Sequence, residues 1–320
     1  MTRAALLLAL LLSALGPAGC GLGQSGSDRI AEGVTLRVTE DFGSERVARA
    51  SEARVPPGDT VMRLLQRRVD TDTRYGGTFV QELEGRAGGA QEGRRIDWFY
   101  YVNGIEAEVG AAEFKLSAGD RVWWDLHDWG EAMRIPAVVG SFPEPFLTGY
   151  RGKRIPVRIE CARGVVRECD EVAERLDRAG VEKTSRAVLS QRDEGAVLRV
   201  LVGQWKDIRL DPTALRIERG PEQSGVFARF DATGRRLDVL DPRGRVARQL
   251  TDGAGLIAAT RQEDRQPVWV VTGTDAVGLA AAAAALEESL LAQRFAIAIE
   301  NGQAVPAPVT VPGPGTGTTP

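Results

Sequence analysis

The chain has 320 residues, of which 43% are hydrophobic and 27% charged, and its formal net charge is −3. This length suffices for about two globular domains. The charge balance, with no basic stripe carrying interleaved aromatic residues, argues against a nucleic-acid partner. A single histidine, His127, excludes multi-histidine metal sites. The sequence also lacks the GxSxG, HExxH, P-loop and GxGxxG motifs, so we expect a protein that is not an enzyme and needs no cofactor.

The N-terminus has the pattern of an export signal. Arg3 precedes an apolar run at residues 4–15, and small residues lead to Cys20. The run is too short to span a membrane. A cysteine directly after small residues resembles the lipobox of bacterial lipoproteins, which implies that residues 1–19 are removed and Cys20 is lipidated. The alternative is an ordinary secretory signal in which the cysteine is incidental.

The export signal predicts a compartment and, with it, a disulfide. A lipidated Cys20 would anchor the chain to the extracytoplasmic face of the cell membrane, with residues 20–29 as a flexible tether. The remaining cysteines, Cys161 and Cys169, are then expected to form a disulfide in an oxidising compartment. The alternative is a pair of free, buried thiols.

Residues 30–130 read as the first domain. Asp59 is the expected N-cap of a helix whose apolar residues Val61, Leu64 and Leu65 recur at helical spacing. Residues 85–93 read as a glycine-rich loop. Strands are predicted before and after the helix, at residues 34–39, 53–55, 79–83, 97–102, 105–109 and 121–126. Two strands, one helix and then several strands is the order of the β-grasp, an α+β fold.

The segment from Trp98 to Trp129 resembles the transcobalamin-like C-terminal domain. The shared pattern is an aromatic strand ending in Tyr-Val-Asn-Gly, then Gly-Asp and a strand containing tryptophan. The matching residues here are Trp98, Tyr100, Val102, Asn103, Gly104, Gly119, Asp120 and Trp124. The resemblance implies a β-grasp-like fold and makes cobalamin a candidate ligand. Transcobalamin places cobalamin against an α-barrel, and the rest of this sequence is mixed α/β.

The remainder predicts a linker, a second domain and a tail. Prolines keep residues 131–153 extended. In residues 154–301, strands alternate with helices at 170–179 and 275–293, and residues 226–250 read as an antiparallel meander. This order predicts a C-terminal α/β sandwich domain. Residues 302–320 are rich in Pro, Gly and Thr and read as a disordered tail.

Aromatic residues supply the candidate binding site. One sheet face must cover the helix, and the other would then carry aromatic rings, a pattern that marks a binding surface. The alternative is that the second domain or the linker covers this face. The candidate ligand-binding residues are Trp98, Tyr100, Asn103, Trp123, Trp124 and Trp129.

Two further motifs have a functional and a structural interpretation. His127, between Asp125 and Asp128, is either a proton shuttle or metal ligand, or a surface histidine at a strand end. Residues 270–275 run from a strand into a helix, where backbone N–H groups could hold an anion unless Asp275 caps them.

These patterns predict a lipid-anchored protein that binds a ligand noncatalytically through the aromatic face and the groove between its domains. The ligand would be a small molecule or an envelope protein. A corrinoid such as cobalamin would suit flat tryptophan and tyrosine rings. The alternative is a structural or protein-interaction module of the cell envelope.

Overall fold

The structure is a computed structural model that describes residues 33–91, 93–190, 196–262 and 265–310. The export signal at 1–19, Cys20, the tether at 20–29 and the final residues 311–320 lie outside these ranges. Within them, none of the helices is long and apolar enough to cross a bilayer.

The N-terminal half is a mixed sheet crossed by one helix. Its elements are β1 (Val34–Glu40), β2 (Glu45–Glu52), α1 (Val61–Arg68), β3 (Thr71–Arg74), β4 (Phe79–Leu83), β5 (Arg86–Ala87), β6 (Gly89–Gln91), β7 (Arg94–Val102), β8 (Ile105–Glu106) and β9 (Arg121–Asp128). The sheet order is β2-β1-β9-β7-β6, with β8 paired to β7 and β1 parallel to β9. Strands β3, β4 and β5 form a small separate sheet.

Alternation along β1 explains how α1 is held. Val34, Leu36 and Val38 point to one face and pack with the buried stripe of α1. The N-cap of α1 is Thr60, which accepts a hydrogen bond from the Arg63 backbone N–H. The prediction of Asp59 as N-cap was therefore wrong by one residue. The Asp59 carboxylate instead binds the Arg67 guanidinium, which lowers its pKa.

The C-terminal half is built on a seven-stranded sheet. Its elements are β10 (Val157–Cys161), α2 (Val166–Arg178), β11 (Thr184–Val188), β12 (Leu198–Gln204), α3 (Trp205–Ile208), a 3₁₀ helix (Ala214–Arg219), α4 (Pro221–Ser224), β13 (Ala228–Phe230), β14 (Leu237–Leu240), β15 (Val246–Leu250), β16 (Gly255–Thr260), β17 (Val268–Gly273), α5 (Ala276–Ala284), α6 (Glu288–Leu291), β18 (Ala296–Glu300) and β19 (Gln303–Ala307). The sheet order is β11-β10-β12-β17-β16-β18-β19, and its first four strands are parallel.

Apolar layers cover both faces of this sheet. Helices α2 and α5 pack on one face, and α3 with the meander β13-β14-β15 packs on the other. The mixed α+β architecture predicted from the sequence is confirmed. The predicted disulfide is also present, joining Cys161 at the end of β10 to Cys169 in α2.

Several sequence predictions need correction. The second strand is β2, not residues 53–55, and β5 and β6 lie within the predicted loop at 85–93. The predicted helix from Asp275 to Gln293 is two helices, α5 and α6. The predicted disordered tail is wrong for residues 303–307, since β19 pairs with β18 and buries Val305 and Ala307.

The stretch predicted as a linker is well packed. Ile135 and Val138 lie in one buried cluster, and Phe142 and Phe146 lie in another, where both rings contact Trp269. This segment therefore joins the two halves through buried apolar contacts. The domain boundaries themselves stay a prediction.

Candidate functional site

The predicted aromatic residues do not share one surface. Neighbouring residues on a strand point to opposite faces. Trp98, Tyr100 and Trp124 point towards α1, whereas Trp123 points away from it. The structure therefore divides the candidate residues between two faces of the N-terminal sheet.

The tryptophans facing α1 form core rather than surface. Trp98 and Trp124 are 7% and 3% exposed, and Tyr100 is half-buried. The Tyr100 ring stacks on Trp124 at 4.8 Å, and its hydroxyl donates to the Val109 carbonyl. The Trp98 indole donates to the Arg86 carbonyl at 3.0 Å.

Asn103 holds a turn. Its φ of 55° places it in the left-handed region, which asparagine tolerates in tight turns. The buried side chain donates to Asp120 and to the Gly149 carbonyl, and accepts from the Arg121 backbone N–H at 2.8 Å. Burial raises the pKa of Asp120 to about 6. The hydrogen bond to Asp120 links the Asn-Gly and Gly-Asp motifs of the sequence.

The other face of the sheet packs against the C-terminal half, and we call this contact the seam. This aromatic face is therefore covered, as the alternative interpretation of the sequence expected. Trp123 is 1% exposed. The buried residues of the seam are Phe42, Tyr101, Trp123, Ala132, Ile135, Val138, Phe227, Leu240 and Phe295.

A buried carboxylate and the single histidine meet in this seam. Asp125 Oδ1 lies 2.9 Å from His127 Nδ1, and both side chains are buried. The imidazole stacks on Phe99, with ring centroids 4.5 Å apart, and lies 4.7 Å from Phe42. The surface-histidine interpretation was therefore wrong. Phe42 and Phe295, which lie outside the strands of the N-terminal sheet, cover His127 at the end of β9.

Asp125 is held by an extended set of donors. It accepts from the Thr39 hydroxyl at 2.5 Å, and from the Phe42 and Gly43 backbone N–H groups at 3.1 and 2.8 Å. Thr39 in turn accepts from the Trp123 indole at 2.7 Å. These donors satisfy a charge that would be costly to bury alone. Sequence reasoning missed Thr39 and the 41–43 turn, because a single threonine and a hairpin turn give no local signal of such a role.

The loop at 270–275 does not present a free anion site. Asp275 is the N-cap of α5 and accepts from the Gly278 and Gly253 backbone N–H groups, both at 2.8 Å. These hydrogen bonds lower its pKa against the opposing effect of burial. The capping interpretation of this motif is confirmed.

Near Trp129 the seam opens into a cleft of about 440 Å³, which we call the Trp129 cleft. It is lined by both halves of the chain, at the start of β7, the end of β9 and the β14–β15 turn. Its lining residues are Gly93, Arg94, Arg95, Asp128, Gly130, Glu131 and Arg243. The Arg95 guanidinium lies over the half-exposed Trp129 ring, 4.3 Å from its centroid.

The charged side chains that line this cleft differ in the hydrogen bonds that they make. Asp128 accepts from the Arg95 and Gly130 backbone N–H groups, so its carboxylate shapes the loop. Arg94 and Arg243 have no side-chain hydrogen bond or ion pair among the described residues. The cleft therefore offers the guanidinium groups of Arg94 and Arg243, together with the carboxylates of Asp128 and Glu131.

Comparisons with known proteins add a family match but no activity. Residues 58–128 match the model of a family described as "Domain of unknown function (DUF4430)". No curated protein matches. The solved structures that match include the 1.30 Å crystal structure of "a putative metal binding protein" from Ruminococcus gnavus, at 15% sequence identity and a TM-score of 0.25. The similarity covers 30% of this chain and 97% of that one.

Within residues 33–91, 93–190, 196–262 and 265–310, no group of three or more His, Cys, Asp or Glu side chains is placed to hold a metal ion. The fold and the site define a two-part α+β protein with a charged cleft along its internal seam.

Proposed function

We propose that this protein is a noncatalytic binding module of the cell envelope that holds a small, charged ligand in the Trp129 cleft. The observation that carries the proposal is the cleft itself. Its volume of about 440 Å³ lies in the range of about 300–1,000 Å³ typical of small-molecule sites, and Arg94 and Arg243 are available for an anionic group. Trp129 would supply an apolar ring beside them.

The proposed location is the extracytoplasmic face of the membrane, with Cys20 lipidated. The disulfide between Cys161 and Cys169 supports an oxidising compartment. The proposed N-terminal domain is transcobalamin-like. Its support is the mixed sheet crossed by α1, together with the hydrogen bond that joins the two motifs at Asn103 and Asp120.

A small charged ligand fits this geometry better than cobalamin does. A corrinoid would need a broad, accessible aromatic face. Trp98, Trp123 and Trp124 are buried in the core or the seam, so a ligand could reach their rings only by displacing apolar side chains. Of the predicted aromatic residues, Trp129 is partly exposed and lies in sequence between Asp128 and Gly130, which line the cleft.

The test is calorimetric titration of the full chain with a panel of small ligands that carry carboxylate, phosphate or ammonium groups. We expect saturable binding of an anionic member, weakened about tenfold in Arg243→Gln and in Trp129→Ala. Arg235→Gln is the matched control, since Arg235 is exposed in the β13–β14 turn and its backbone alone is hydrogen-bonded there. Equal affinities in all four proteins would contradict the proposal.

A specific observation also favours the second candidate, a protein-interaction module. The hairpin of β3 and β4 exposes Tyr75 and Phe79, which are 81% and 40% exposed and lie in ring contact. A photoreactive residue at position 75 should then cross-link to one envelope protein, whereas the same residue at position 235 should not.

A further inference from the structure

A second cleft lies at the opposite end of β9, where the first strands of the sheet meet the C-terminal half. We call it the arginine cleft. Its volume is about 130 Å³. It is lined by Thr35, Leu36, Arg37, Arg49, Arg121, Val122, Trp123, Ser141 and Glu288.

Strand register brings like charges together here. Arg37 of β1 and Arg49 of β2 are direct cross-strand partners. Arg121 begins β9, the strand parallel to β1 on its other side. Like charges placed opposite each other destabilise a sheet unless another charge offsets them. The sequence does not reveal this cluster, because the pairing depends on the register of three strands.

Protein groups offset little of this positive charge. Arg121 binds Glu288, the one carboxylate among the described lining residues. Arg37 donates to the Gly140 carbonyl at 3.2 Å. Arg49 has no side-chain hydrogen bond or ion pair among the described residues.

The electrostatics agree with that geometry. Burial lowers the pKa of Arg37, and Arg49, Arg121 and Arg46 lower it further, against the opposing effect of Glu288. A bound anion would reverse these repulsions and would accept hydrogen bonds from the same guanidinium groups.

We propose that the arginine cleft binds one oxyanion group, a phosphate or a carboxylate, through Arg37, Arg49 and Arg121. Ser141, from the segment that joins the two halves, also lines the cleft. The size of the cleft sets the ligand at a single oxyanion group, smaller than a ligand that fills the Trp129 cleft.

Arg49→Gln is the sharpest variant, because it removes charge without removing a side-chain hydrogen bond or ion pair to the described residues. The melting midpoint of the full chain is measured in inorganic phosphate, in acetate and in sodium chloride at matched ionic strength. Phosphate or acetate should raise the wild-type midpoint above that in chloride, since a ligand bound to the folded state stabilises it. The two anions distinguish a phosphate site from a carboxylate site.

Arg49→Gln should raise the midpoint in chloride and weaken anion binding about tenfold. Arg235→Gln should change neither, and Arg243→Gln, in the Trp129 cleft, should leave intact the part of the anion effect that Arg49→Gln removes. The inference is overturned if phosphate and acetate act no differently from chloride, or if Arg49→Gln keeps the full anion effect.

Discussion

The two faces of the N-terminal sheet are built from the same strands on different principles. The face towards α1 is apolar, with Val34, Leu36 and Val38 among its buried residues. The seam face places Thr39, Asp125 and His127 among aromatic rings. The first face is held mainly by hydrophobic burial, whereas the second also buries polar groups, which are hydrogen-bonded around Asp125 but left without a partner at the Tyr101 hydroxyl and Glu106 Oε2.

That difference has a structural consequence. Apolar contacts are non-directional and tolerate small shifts, but the hydrogen bonds to Asp125 fix the positions of the groups that donate them. The donors to Asp125 all belong to residues 39–127, so they fix the 41–43 turn against β9, whereas apolar side chains such as Phe227 and Phe295 make the contact with the C-terminal half.

The strongest test of this comparison is Asp125→Ala. Four donors would lose their acceptor in a buried site, so we expect a loss of about 3–5 kcal/mol in the free energy of unfolding, measured by urea denaturation. Asp128→Ala, in the same strand but at a partly exposed position, should cost about 1 kcal/mol. Similar losses in the two variants would mean that the seam does not depend on its polar contacts.

The seam is also tight enough for a single methyl group to disturb it. A Cβ at Gly140 would lie 2.6 Å from the Trp123 ring and 2.8 Å from the Arg294 backbone. Gly140→Ala should therefore cost about 1–3 kcal/mol in thermal unfolding. Gly110→Ala is the matched control, since a Cβ there meets nothing within 4 Å. If both variants melted at the wild-type midpoint, the packing of residue 140 on Trp123 would be refuted.

The pH dependence of stability also distinguishes the two faces. The seam contains a buried carboxyl group, that of Glu106. Burial raises its pKa against the opposing effect of the Arg134 guanidinium. Arg134 Nε lies 3.6 Å from Glu106 Oε2, which has no hydrogen-bond partner in the described structure.

A raised pKa in the folded state means that folding favours the protonated form. The contribution of Glu106 is therefore fully present below its ordinary pKa and is lost as the pH rises through the raised pKa of the folded state. Glu106→Gln should remove this pH dependence from the unfolding free energy, measured by urea denaturation between about pH 4 and 7. If the unfolding free energy of Glu106→Gln changed with pH as steeply as that of the wild type, Glu106 would not be desolvated.

The sequence predicted the α1 face better than the seam. Helical spacing at Val61, Leu64 and Leu65 identified α1, and alternation placed Trp123 and Trp124 on opposite faces. Trp123 is covered by Phe295, which lies more than a hundred residues away in the sequence, so no local pattern could predict this contact.

Other misses have the same physical origin. Strand β2 is a mostly polar edge strand whose residues show no apolar alternation. Strand β19 contains proline, yet it forms because Val305 finds a buried place beside β18. The arginine cleft required the pairing of Arg37 with Arg49, which is a property of register and not of composition.

The adjacent tryptophans provide the finest test of the two faces. The Trp123 indole donates to Thr39 at 2.7 Å, whereas the Trp124 indole N–H has no partner among the described residues. Replacement of either by phenylalanine removes a similar volume, so the hydrogen bond decides the difference. Trp123→Phe should lower the unfolding free energy by about 1 kcal/mol more than Trp124→Phe, seen as a lower urea midpoint at an unchanged slope. Equal losses would mean that Thr39 reaches Asp125 without help from Trp123, and that volume alone governs both faces.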